Sequence, residues 1–241
     1  MADDTFPRRK FLLGAGLAGT AIAAGVSPPV EAQQPTPAAP PVAVPPPQAN
    51  EPFITLTALE AAFIVAVVDT LIPPDELSPS GSDCGVAVFI DRQLGGAWGG
   101  GAKMYRAGPF LKGKPEQGYQ LALAPREYFA SGIAATNAWT RKAYGGKDFD
   151  RLAAVDRVAA LRAMEDGKAE FENFDARAFF GQLLSLTMAG FFADPIYGGN
   201  RDMVAWKLIG FPGLPATYAD KIDEYRNRRY AAEPQSIADF S

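Results

Sequence analysis

The chain has 241 residues, 48% hydrophobic and 21% charged, with one Cys and no His. One thiol and no imidazole cannot build a His/Cys site for zinc, haem or an iron–sulfur cluster, a His-dependent triad, or an internal disulfide. The formal net charge of −4, from 23 basic and 27 acidic residues, argues against a nucleic-acid binder.

Residues 1–32 read as an export signal. Arg8-Arg9-Lys10 precedes Phe11-Leu12-Leu13 and an uncharged, Gly/Ala-rich run to Val26. Paired arginines before Phe11 and Leu12 mark the twin-arginine kind, and Val30-Glu31-Ala32 supplies a small-x-small cleavage pattern. Gly14-Ala-Gly16-Leu-Ala-Gly19 matches the dinucleotide fingerprint only formally, because Pro28-Pro29 interrupts the second strand that fold needs. An uncleaved anchor is the more serious rival, although the segment is short for a bilayer span of roughly 20 residues. Residues 33–52 form a proline-rich linker whose fixed φ angles and missing donors favour an extended spacer.

From residue 53 to 241 the pattern is that of one helical domain. Thr57-Ala-Leu-Glu60 is a capping box, followed by Leu59, Phe63, Val67 and Leu71 at helical spacing and stopped by Pro73-Pro74. Asp83 is expected to cap a second helix carrying Val86, Phe89, Ile90 and Leu94. Pro125 suits the first position of a third helix, which holds Tyr128, Ile133 and Trp139 and ends near Gly145-Gly146. Leu152, Val155, Ala159 and Met164 mark a fourth, and Asp175 caps a fifth over residues 179–192. Asp202 and Thr217 are expected to start two short helices. No segment alternates with period two, so the fold class is all-α with essentially no sheet.

The loops hold the remaining chemistry. Residues 93–119 contain eight glycines, an unusual density for a plain connection. Residues 191–202 pack aromatics, turn formers and opposite charges together. Asp194, Asp202 and Tyr197 could serve a small exported acid–base enzyme, with Arg201 separating the two carboxylate pKa values. Against that, Asp194-Pro195 is an ordinary turn start, Asp202 suits a helix cap, and Arg201 can fork onto Asp194 simply to hold the loop. Tyr197 and Trp206 are amphipathic aromatics of the kind found in interface hot spots and in cores. Cys84 is expected to stay a buried free thiol, with an interchain disulfide as the alternative, since its place beside Asp83 at a helix start favours a thiolate and exchange chemistry.

The twin-arginine route exports folded proteins, commonly with a cofactor inserted, yet this chain shows no visible metal, flavin or nicotinamide site. The cofactor is therefore expected in a partner that is exported with it. The 22-residue run Phe192-Ala-Asp-Pro-Ile-Tyr-Gly-Gly-Asn-Arg-Asp-Met-Val-Ala-Trp-Lys-Leu-Ile-Gly-Phe-Pro-Gly213 closely resembles the signature of the gluconate 2-dehydrogenase subunit 3 (gamma, or small subunit) family. Phe89-Ile-Asp-Arg-Gln-Leu94, Met104-Tyr-Arg-Ala-Gly-Pro-Phe110 and Gly118-Tyr-Gln-Leu121 resemble its earlier blocks, and the likeness spans residues 56–225.

The resemblance implies a non-catalytic small subunit that binds no cofactor itself. It would assist folding, cofactor loading and export of an FAD-containing glucose–methanol–choline-type dehydrogenase acting on a sugar, sugar acid or polyol. A multihaem cytochrome c subunit (haem c) often completes such complexes, which places this chain in the periplasm at the inner membrane. The glycine-rich loop and residues 194–213 would contact the flavoprotein. Within that block the candidates are Asp194, Pro195, Tyr197, Gly198, Gly199, Asn200, Arg201, Asp202 and Trp206, while Arg8 and Arg9 direct export.

Overall fold

The computed structural model describes residues 51–240, apart from residues 112, 115, 116, 118–120 and 216. The expected signal and almost all of the linker lie outside the described residues. Among the described residues there are six α-helices: α1 (Ala58–Leu71), α2 (Val86–Gly95), α3 (Pro125–Ala143), α4 (Ala154–Glu165), α5 (Ala176–Phe191) and α6 (Val204–Ile209). No β-strand occurs among the described residues. Gly213 and Gln235 form an isolated parallel bridge.

Local chemistry explains three of the helix starts. Thr57 caps α1 in a complete capping box: its Oγ1 accepts the Glu60 N–H, and Glu60 accepts the Thr57 N–H. Pro125 opens α3, and the Glu127 carboxylate accepts the Ala124 N–H at 2.7 Å. Asp175 accepts the Ala178 N–H at 2.9 Å and caps α5.

Other expected starts are corrected. Gly85, not Asp83, occupies the cap of α2, with a left-handed φ of +80°. Asp83 instead accepts the Ser80 hydroxyl at 2.8 Å within the preceding turn. Asp202 does not cap α6; its own φ is +57°, and Met203 stands at the cap. Thr217 precedes only a 3-10 turn (Ala219–Lys221).

Two expected faces also shift. Leu59 is exposed, and α1 buries Phe63, Ile64, Val67 and Val68. Leu152 lies before α4 rather than within it, so it does not set the phase of that helix. Val155 and Ala159 therefore face solvent, while Ala160, Leu161 and Met164 enter the core.

α5 runs through the middle of this domain and packs against α1, α2, α3 and α4. Its Phe179 ring meets Phe129 edge-on, with centroids 5.6 Å apart. An added Cβ at Gly132 would collide with that ring, which explains why α3 carries glycine at this crossing. Phe63 of α1 packs on Phe149 with centroids at 5.2 Å. Burial of these aromatic and branched side chains is the dominant stabilising term.

Candidate partner-binding site

Residues 192–213 begin where α5 ends and turn back over the start of α2. Asp194 opens a 3-10 turn (Pro195–Tyr197), accepting the Ile196 N–H at 3.0 Å. Its other oxygen accepts the Ile237 N–H at 2.9 Å, tying the C-terminal segment to this turn. The carboxylate is thus occupied by backbone donors, as an Asp-Pro turn predicts.

Gly198 then takes a left-handed φ of +97°. The carbonyl of Gly198 lies so close to Gly85 that a Cβ there would collide with it. Likewise, a Cβ on Gly199 would strike the Gly190 carbonyl at the end of α5. These glycines let three backbone segments pass at near-contact distance. Asn200, Asp202 and Met203 also have positive φ, a concentration of strain held in place by what surrounds it.

Asn200 is fully buried and provides the polar pin. Its Nδ2 donates to the Ala193 carbonyl, and its Oδ1 accepts the Ala205 N–H, both at 2.9 Å. That second bond satisfies a first-turn donor of α6, the capping task expected of Asp202. Arg201 does not fork onto Asp194. Its Nη1 donates to the Asp83 carbonyl at 2.7 Å, and its backbone N–H donates to the Cys84 carbonyl at 3.0 Å. Arg201 therefore clamps the turn that starts α2.

Trp206 is only 6% exposed and donates its indole N–H to the Phe192 carbonyl at 2.9 Å, with Phe211 edge-on against it at 5.2 Å. It supports the block from beneath. Tyr197, at 51% exposure, and the exposed Asp202 form its outer part, while Pro195 is half-buried. The block thus divides into an internal knot (Gly198, Gly199, Asn200, Arg201 and Trp206) and an outward edge.

Cys84 is 1% exposed, and its Sγ faces the Pro79 carbonyl at 3.7 Å. Burial, reinforced by the Asp83 charge, pushes its thiol above the ordinary 9.0 despite an opposing pull from Arg201. The thiolate alternative is thereby reversed, and Cys84 is a buried free thiol. A bridge to another chain would require this turn to open.

Two structural features escaped the sequence reading. Asp91 is fully buried in α2 and accepts the N–H groups of Ile54, Thr55 and Leu56 at 2.9, 2.9 and 2.8 Å. A lone carboxylate inside the apolar run Val88-Phe-Ile-Asp91 was the available signal. The C-terminal segment also returns to the block, with Leu214 donating to Gln235 at 2.9 Å and Gln235 to Pro212 at 3.1 Å. No local pattern announces that pairing.

Among the described residues, no three of His, Cys, Asp and Glu converge as a metal site, and no helix is long and apolar enough to cross a membrane. The family model for gluconate 2-dehydrogenase subunit 3 matches residues 58–213, more than half of the chain. The chain belongs to this family. No curated protein and no solved structure matches it. The gluconate 2-dehydrogenase subunit 3 match begins at the first residue of α1 and ends at Gly213, where the bridge to Gln235 forms. Membership makes the chain an accessory subunit of a dehydrogenase complex.

Proposed function

We propose that this protein is the non-catalytic small subunit of an exported, FAD-dependent dehydrogenase acting on a sugar, sugar acid or polyol. It assists folding and flavin loading of the catalytic subunit and provides the twin-arginine signal for both. The observation that carries this reading is family membership in a chain with one Cys and no His. Electrons from the flavin pass to a cytochrome c subunit, and the complex sits at the periplasmic face of the inner membrane.

Within the described domain, the knot at residues 198–206 sets the shape of the block and its outer edge meets the partner. Asn200, Arg201 and Trp206 act by holding that edge in place. Tyr197, Pro195 and Asp202 stand where a second chain can reach them. Asp194, with both oxygens on backbone donors, serves the turn rather than proton transfer.

Tagged purification of the full-length chain from detergent-solubilised membranes tests the reading. The eluate is expected to contain a larger chain and to show flavin absorbance. A colourless lone chain that oxidises or hydrolyses a substrate by itself would overturn it in favour of the acid–base enzyme.

A further inference from the structure

We infer that the outer stripe of α5 (Gly181, Leu184, Ser185, Met188 and Ala189) is a close-packing seat for an uncharged, apolar segment of the catalytic dehydrogenase subunit. The inference rests on the subunit reading above and locates a contact outside both residues 194–213 and the glycine-rich loop.

Gly181 carries the argument. Glycine inside a helix is costly, because it frees the backbone of the unfolded chain and buries no side chain. The other glycines within α3 and α5 are required by packing: a Cβ at Gly132 would enter the Phe179 ring, and one at Gly190 would strike Phe89 of α2. Gly181 differs. It is exposed, its φ is not left-handed, and a Cβ there would meet nothing within 4 Å. Neither packing nor backbone conformation within the domain calls for glycine here. A surface that approaches the helix backbone from outside does.

The neighbours of Gly181 fit such an approach. Leu184, Ser185, Met188 and Ala189 follow it at the spacing of one helix face. All are exposed, Leu184 at 37% and Met188 at 42%. The small residues at 181, 185 and 189 line up one above another, with Leu184 and Met188 as the ridge beside them. The solvent face of a helix normally carries charge, yet no charged residue occurs between Arg177 and Asp194.

Composition and size select the occupant. Helices that lie on a membrane set many Lys and Arg beside their apolar face, whereas α5 holds one basic residue, Arg177. From Gly181 to Ala189 the stripe is about 12 Å long at the helical rise. By itself it is too short for the roughly 1,000 Å² that a stable pair of copies would bury. It suffices as one part of a wider contact, and α5 leads directly into one. The Phe192 N–H donates to the Met188 carbonyl at 3.1 Å, and the outward Tyr197 follows. Family membership makes the chain part of a dehydrogenase complex, so the catalytic subunit is the partner that meets both.

The test is the same tagged purification of the full-length chain carrying Gly181→Glu or, separately, Leu184→Glu with Met188→Glu. Each variant is expected to recover about tenfold less flavoprotein or lower, a loss typical of removing interface anchors. Gly181→Glu also separates a lost seat from a damaged fold, since a better helix former replaces glycine at an open position. The melting temperature of the full-length chain should rise by about 2–4 °C while partner recovery falls. A melting temperature that falls would tie Gly181 to the fold itself and overturn the inference. Flavoprotein recovery equal to wild type in both variants overturns it while leaving the subunit reading intact. Wild-type protein that brings down no flavoprotein overturns both. Pairing of two differently tagged copies and flotation with phosphatidylglycerol-containing vesicles cover the other occupants. Variants that keep their flavoprotein but no longer pair, or no longer float, assign the stripe to a second copy or to lipid and overturn the proposal.

Discussion

Cys84 separates what a neighbour implies from what burial decides. Its place beside a helix start resembles an activated thiol, but desolvation dominates and holds the proton on sulfur. A thiol reagent at pH 8 should leave the native protein unlabelled and modify Cys84 after denaturation. Because the folded-state pKa lies above the unfolded one, the native state retains a proton that the unfolded chain releases. The resulting stabilisation is complete below the unfolded value, near pH 9.0, and is lost as pH rises through the folded value. A urea midpoint constant to pH 8.5 and falling above pH 9 is the expected result; a midpoint that rises there would contradict the assignment.

At the scale of elements, helix α2 is held at both ends by groups remote in sequence. Arg201 clamps the turn before it, and Asp91 in its second half holds the segment entering α1. Arg92 adds an ion pair to Glu51 at 2.7 Å, extending the same latch outward. Asp91→Ala removes a charged acceptor from three backbone donors and should cost about 2–4 kcal/mol, since bonds to charged groups are the stronger class but the donors can regain water. Hydrogen exchange at Ile54, Thr55 and Leu56 should accelerate far more in that variant than exchange in α5. Uniform acceleration everywhere would show that Asp91 supports the whole domain rather than the latch.

At the scale of the whole molecule, a helical domain follows a signal and a spacer read from the sequence. Replacing Arg8 and Arg9 with Lys should strand the dehydrogenase activity in the cytoplasm and lower periplasmic activity by about tenfold or more, as expected if one signal serves both chains. Fractionation with activity assays reads the outcome. Undiminished periplasmic activity would mean that the partner has its own route.

Helix existence was legible wherever short-range chemistry sufficed. The Thr57–Glu60 box, Pro125 at the first turn and Asp175 at a cap all act within three residues, and each stands where expected. The all-α class followed from the absence of period-two alternation, and the family from the ordered run ending at Gly213. Local pattern failed where a distant group took over a local task. Asn200 displaced Asp202 as the donor's partner at α6, Gly85 displaced Asp83 because Gly198 passes too close for a side chain, and Arg201 bonded to residue 83 rather than 194. The outward edge of the block and the internal knot share one sequence signature. Only packing separates them, because burial is set by which segments the glycines allow to touch, and that is a property of the folded chain.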